Sequence, residues 1–320
     1  MATALEQIKL LRSRMQSAII GQENVIDKIL IALLTDGNVL LEGLPGLAKT
    51  RAVKSLAQNL DCKLSRIQFT PDLLPSDITG TEIYQPQAEE KFVFQPGPIF
   101  SNLVLADEIN RAPAKVQAAL LEAMEERQVS VAGKTHKMEP LFMVLATQNP
   151  VEQEGTYPLP EAQLDRFVMK VLIEYPDTDS ERKIMELVRN ETKGETKKEE
   201  PILKDAVFDA RKEINNVQVK TPAENYIVDI ISATRYPAKF SQDAAKWISY
   251  GASPRGSIGI DRCARVVAWL NGRDYVTADD VRYIVYDVLR HRLILTYEAN
   301  AEGVNADKVI DELLKVVAVA

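Results

Sequence analysis

Histidine is nearly missing from this chain: His136 and His291 are the only two among 320 residues. That scarcity argues against a His-rich metal site or a His-based catalytic triad, and moves any chemistry to carboxylates, Lys, Arg and a bound ion. Cysteine is equally scarce. Cys62 and Cys263 lie far apart, form no CxxC, and read as two reduced thiols of a cytosolic protein. Positive charge is in deficit, with 39 Lys and Arg against 46 Asp and Glu and a net charge of −7. No basic stripe with interleaved aromatics is present, which argues against a nucleic-acid partner. No apolar run reaches the roughly 18–20 residues of a membrane span. The opening MATALEQIKLLRSRM lacks the apolar block of a signal peptide and reads as an amphipathic helix. A cytoplasmic location is therefore expected. What remains is an ordinary globular composition, 46% hydrophobic and 27% charged, long enough for two domains.

Residues 1–175 alternate strand-like and helix-like segments. The strand candidates are Asn38–Glu42, Lys63–Phe69, Leu103–Asp107, Leu141–Thr147 and Val168–Ile173. They are short continuous apolar runs, as expected of strands buried on both faces. Pro113 to Arg127 reads as a helix with Val116, Leu120, Ala123 and Met124 on one face. This order predicts a parallel sheet between helices, with ligands at the carboxyl ends of the strands. Two hairpins are expected off the core, one inserted within Pro71–Phe100 and one over Gln128–His136. The stretch 191–200 contains no apolar residue and reads as a solvated hinge. Beyond it the pattern predicts four to six helices and no strands. Thr221, Ser253 and Thr277 are the expected N-caps, and Gly272 ends a helix.

The chemistry concentrates in a few places. Gly43-Leu44-Pro45-Gly46-Leu47-Ala48-Lys49-Thr50 follows an apolar strand and opens a helix, the setting of a phosphate-binding loop. Lys49 would reach the β- and γ-phosphates, and the Thr50 hydroxyl would ligate Mg²⁺. Ala48 stands where the strict pattern has Gly, so Gly43 and Gly46 are expected to take the strained turn. Leu103–Asp107 ends in two carboxylates, 58 residues after Lys49 (107 − 49). Asp107 suits a metal-holding acid and Glu108 a base that orients water; the alternative is a buried strand that ends at a polar surface. Asn149 can bond a γ-phosphate or the attacking water, or be a turn residue before Pro150. Asp165-Arg166 can be a surface pair. Arg255, in the first turn of a helix, opposes the helix dipole unless an anion faces it.

Taken together, GLPGLAKT, LADEINRAPAKVQAALLEAMEERQVSV, ATQNPVEQEGTYPLPEAQLDRF and SPRG resemble the MoxR family of AAA+ ATPases, closely over roughly residues 15–175 and more loosely over 220–320. Ala48 is usual in that family. The resemblance implies a three-layer αβα core with a parallel sheet over 1–190, a hinge at 191–200 and an all-helical lid over 201–320, with a helix-2 insert at about 71–100. It implies ATP and Mg²⁺ as ligands, with Leu44, Pro45, Gly46, Leu47, Ala48, Lys49, Thr50 and Arg51 around the phosphates. Ile20, Gly21 and Gln22 match the segment that packs on adenine. Thr50 and Asp107 match the metal positions, Glu108 the Walker B base and Asn149 sensor 1. Arg166 matches the arginine finger that acts on a neighbouring subunit, and Arg255 matches sensor 2, reaching from a lid that would respond to the γ-phosphate. The implied partners are further copies in a ring, expected to be a hexamer, a client protein, and proteins with von Willebrand A domains. Three other readings stay open: a magnesium-chelatase-like ATPase subunit, a nucleic-acid motor, and a nucleotide sensor that does not hydrolyse.

Overall fold

Side-chain alternation along five short strands decides how the centre of the molecule is built. Val39 and Leu41 enter one apolar cluster while Leu40, between them, enters another. The same holds for Leu103 and Leu105 against Val104, and for Met143 and Leu145 against Val144. Both faces of the sheet are therefore covered, which is why the strands read as unbroken apolar runs.

The structure is a computed structural model that describes residues 2–44, 47, 49–87, 90–150, 155–192 and 199–318. Its first half runs α1 (Ala4–Ala18), α2 (Glu23–Leu34), β1 (Val39–Gly43), α3 (Lys49–Asn59), β2 (Leu64–Gln68), α4 (Pro75–Thr79), β3 (Gly80–Tyr84), β4 (Phe92–Pro96), β5 (Leu103–Asp107), α5 (Ala114–Glu126), β6 (Gln128–Val131), β7 (Lys134–Lys137), β8 (Met143–Gln148), α6 (Glu161–Leu164), β9 (Met169–Ile173) and α7 (Thr178–Thr192). The second half runs α8 (Asp205–Asn215), α9 (Thr221–Arg235), α10 (Gln242–Trp247), β10 (Ile248–Tyr250), α11 (Pro254–Leu270), α12 (Ala278–Leu289), β11 (Ile294–Leu295), α13 (Tyr297–Ala301) and α14 (Ala306–Val316).

The central sheet has the order β2-β5-β8-β1-β9, every neighbouring pair parallel. Helix α5 packs on one face with the cluster around Leu120 and Phe142. On the other face α1, α2 and α3 join α8 to α14 in one continuous cluster. The expected αβα layering with a helical C-terminal part is present, and the expected strands differ from the observed ones by one or two residues at their ends. Those ends are set by ladder hydrogen bonds, which apolar patterning does not report. Both hairpins form. β3 pairs with β4 antiparallel in the insert. β6 pairs with β7 through Ala132 and Gly133, whose φ values of 49° and 80° suit the tight turn that joins two twisted strands.

Three expectations for the second half need correction. Among the described residues it has seven α-helices rather than four to six, and it is not free of strands: β10 and β11 form a small antiparallel pair. The apolar content of these segments is too short to show a period of two. Thr221 is not an N-cap. It is the first residue of α9, after Lys220, and no side chain caps that helix. Ser253 and Thr277 do cap, the latter in a reciprocal box with Asp280, and Gly272 follows α11 at φ +73°. The 191–200 stretch also opens as helix, since α7 continues to Thr192, while positions 193–198 lie outside the described residues. Its flanks are anchored, Glu191 to Arg51 and Glu199 to Arg14.

Candidate functional site

Parallel strands put all their carboxyl ends on one edge, and β1, β2, β5 and β8 deliver Gly43, Gln68, Asp107 and Gln148 there. Gly43 has to be glycine because a Cβ would meet the Ile173 carbonyl at 2.8 Å. Lys49, the first residue of α3, turns back across the mouth of the loop. Its Nζ donates to Gly43 O at 2.7 Å and lies 3.5 Å from Gln148 O. Pro45, Gly46 and Ala48 fall outside the described residues. Leu44 and Thr50 are half-buried at this edge, and Leu47 packs partly on the core.

The Ile20-Gly21-Gln22 turn reaches the same edge. Gly21 has φ +74°, and a Cβ there would meet Ser180 at 2.7 Å. Gln22 Nε2 donates to Glu174 O at 2.8 Å, just past the end of β9. Arg51 behaves differently from the rest of the loop set. It faces the helices, donating to Ala18 O at 2.8 Å and pairing with Glu191. It thereby braces the chain that leads into the Ile20–Gln22 turn.

Asp107 and Glu108 are organised by neighbours that the sequence did not single out. Register places Thr147 one step beyond the Ala106–Ala146 pair and Gln68 opposite Asp107. The fully buried Thr147 hydroxyl donates to Asp107 Oδ1 at 2.6 Å and accepts from the Glu108 N–H at 2.9 Å. Gln68 Nε2 donates to Glu108 Oε2 at 2.8 Å, and Arg111 pairs with the same oxygen at 3.1 Å. Glu108 sits in the left-handed region, φ 56° and ψ 51°. A residue with a Cβ costs about 1–2 kcal/mol there, and such strain concentrates at functional sites. Asn149 is buried directly after β8, the strand between β5 and β1.

The oxygen donors suit Mg²⁺, a hard cation that keeps water and phosphate in most of its shell. Thr50 offers a hydroxyl and Asp107 a carboxylate. The Arg66 guanidinium rests on Asp107 Oδ2 at 2.6 Å, so a positive charge already occupies the outer face of that acid. The position of Arg66 on β2, beside β5, was the only signal for it.

The arginines are elsewhere. Arg166 Nε lies 2.8 Å from Glu125 Oε2, and Arg255 pairs with the other oxygen of the same carboxylate. Glu125 is at the end of α5, which has run back to the amino ends of the strands, where Arg127 bonds Asp36 and the Phe142 carbonyl. Arg166 itself precedes β9, at Val168 N → Asn38 O. The five residues of β1 separate this cleft from Gly43, at the far end of the strand, by about 13 Å at 3.3 Å per step. Within its own chain Arg255 therefore lies at the opposite edge of the sheet from Lys49. Packing of α11 and α12 beside α2 and β9 carries it to the opposite edge of the sheet. The structure brings Arg166 and Arg255 together, and keeps both away from Lys49, Asp107, Glu108 and Asn149.

Residues 38–169 match the ATPase family associated with various cellular activities, and residues 241–313 match the AAA lid domain. Chaperone MoxR1 of Mycobacterium tuberculosis is 48% identical over 94% of this chain and 79% of its own length. Protein YeaC of Bacillus subtilis, itself uncharacterised, is 45% identical over 94% of this chain and 91% of its own. A crystal structure from Cytophaga hutchinsonii, of a protein described provisionally as an ATPase, superposes with a TM-score of 0.91 at 46% identity, covering 99% of this chain and 96% of that one.

Proposed function

The chain belongs to the MoxR family of AAA+ ATPases, and from that premise we propose that it hydrolyses ATP at a site shared between two copies and uses the cycle to remodel or mature client proteins. One observation carries this reading: Lys49, Asp107, Glu108 and Asn149 lie at one edge of the sheet, and Arg166 and Arg255 lie at the other. A head-to-tail neighbour would bring Arg166 and Arg255 of one subunit to the loop of the next, and repetition of that contact closes a ring. A hexamer is the expected size.

In this reading Lys49 holds the β- and γ-phosphates, and the Ile20–Gln22 turn holds the base. Thr50 and Asp107 hold Mg²⁺, which when bound neutralises charge on the phosphates. Glu108 orients the attacking water, with Gln68 and Arg111 fixing its carboxylate. Asn149 bonds the γ-phosphate or that water. Arg166 and Arg255 leave Glu125 for the neighbour's phosphates, so both act in trans. The proposed division is a core over 1–190, a charged connection at 191–200 and a lid over 201–320. The lid match at 241–313 supports it, whereas Ile202, bridged to Leu60, and α8, packed on α1, tie the start of the last part to the core.

The decisive experiment is Glu108→Gln in the full chain. Phosphate release should fall by about 10²–10⁴, the usual worth of a general base, with ATP binding retained. Unchanged turnover removes Glu108 from the mechanism. The same variant, held in ATP, should retain its client in a pull-down. Proteins with von Willebrand A domains, the partner class implied by the family, are the first to look for there.

A further inference from the structure

We propose that Arg292 is a positioning residue for the arginine pair: by gripping Asp165 it fixes, as one unit, the segment that carries Arg166 and the helix start that carries Arg255. This rests on the reading that those two arginines act on a neighbour's nucleotide.

Arg292 follows α12 and is only 8% exposed. Its Nε donates to Asp165 Oδ1 at 2.8 Å, and its Nη2 donates to Asp165 O at 3.1 Å and Phe167 O at 2.7 Å. Its Nη1 donates to Val168 O at 3.2 Å and to Val288 O. One guanidinium therefore holds the carbonyls on both sides of Arg166, so the backbone that aims the Arg166 side chain cannot turn. The other Asp165 oxygen accepts from Ser253 Oγ at 2.8 Å. Ser253 is the N-cap of α11, and the same hydroxyl accepts from the Arg255 N–H at 3.1 Å. The path Arg292–Asp165–Ser253 thus runs to both arginines, which then converge on Glu125. These bonds of Arg292 all lie on the arginine side of the sheet, at Asp165, Phe167, Val168 and Val288. The fork geometry is specific to Arg: a Lys ammonium could keep the charge but could not hold the Asp165 carboxylate and four backbone carbonyls at once.

The test uses the full-length protein and mixed assemblies. Arg292→Lys should lower kcat about 10²-fold, the scale of a roughly 1 Å misplacement of a catalytic group, while KM for ATP stays at the wild-type value. Mixing Arg292→Lys with Glu108→Gln should restore turnover, because the first supplies intact loops and the second intact arginines. Mixing Arg292→Lys with Arg166→Ala should restore nothing, since both are deficient on the same edge. Wild-type kcat in Arg292→Lys, a rise in KM in place of the fall in kcat, or recovery with Arg166→Ala overturns the proposal. The control mixture of Arg166→Ala with Glu108→Gln separates the two layers. If it stays inactive, the trans reading falls and the proposal with it; if it recovers while Arg292→Lys with Arg166→Ala also recovers, the proposal alone falls. Should Arg292→Lys melt at too low a temperature to assay, Ser253→Ala carries the same test, with a loss of kcat of roughly threefold to tenfold from one charge-assisted bond and the same pattern in the mixtures. Wild-type kcat in Ser253→Ala would then overturn the proposal.

Discussion

The two edges of the central sheet are built in opposite ways. At the carboxyl edge the described residues come in contiguous runs: Gly43-Leu44 and Lys49-Thr50 after β1, the pair Asp107-Glu108, and Asn149 directly after β8. Each run follows a strand, so the fold only has to align the strands to assemble the site. At the amino edge Asp36, Glu125, Asp165, Arg166, Arg255 and Arg292 come from five separate stretches of chain. Side-chain ion pairs do the assembling there, as in Arg166–Glu125–Arg255 and Arg292–Asp165. The difference teaches that strand topology specifies the arrangement of one edge, and packing between the helical half and the core specifies that of the other.

The sharpest way to break this comparison is Arg166→Ala. If the amino edge serves a neighbour, hydrolysis should fall by about 10³–10⁵, the worth of an arginine finger, with nucleotide binding intact. Wild-type protein should also lose specific activity on dilution as copies separate. Full activity in a dilute monomeric sample would return the arginines to their own subunit.

At the carboxyl edge the comparison is sharpened by Thr147→Val, which keeps the shape and removes the hydroxyl shared by Asp107 and Glu108. Leaving those groups unpaired should cost about 1–3 kcal/mol in denaturant unfolding. It should also lower turnover of the variant, because Glu108 loses a tether of its strained backbone. No change in either quantity would mean that the two acids are held by their strand alone.

The smallest expected effect is a pH dependence set by His291. This ring is buried beside Phe167 O at 3.0 Å and Arg292 at 2.7 Å. Its pKa is pushed well below 6.5, first by burial and then by the positive charge of Arg292, with smaller contributions from Lys170 and Arg290. A folded pKa below the unfolded one means that the unfolded chain binds the extra proton. Stability should therefore be fully present above pH 6.5 and decline as pH falls below it, by up to about 1.4 kcal/mol per unit. Melting between pH 7.5 and 5.5 should show a steeper loss in wild type than in His291→Gln, and parallel curves would dismiss the effect.

Much of the fold was legible. Apolar runs located all five central strands, and turn residues located both hairpins. Less of the second half was, because β10 and β11 are three and two residues long, below any detectable alternation. Thr221 carried the letters of a cap, yet the helix begins one residue earlier than that role requires. In the candidate site the motif residues Lys49, Asp107, Glu108 and Asn149 were readable from their place after strands. Arg66, Gln68 and Thr147 were not, because what makes them relevant is cross-strand register, a relation between residues about 40 positions apart.

By itself the sequence determined the order of strands and helices, the family, and which polar residues follow the central strands. It could do so because each depends on a local run of residues whose hydrogen bonding and burial follow from near neighbours. Only the tertiary structure decided where Arg255 points, that Arg166 shares Glu125 with it, and that Arg292 holds the segment between them. Those outcomes depend on how α11 and α12 pack against the sheet, and packing is fixed by the summed fit of many distant side chains, which no short window of sequence contains.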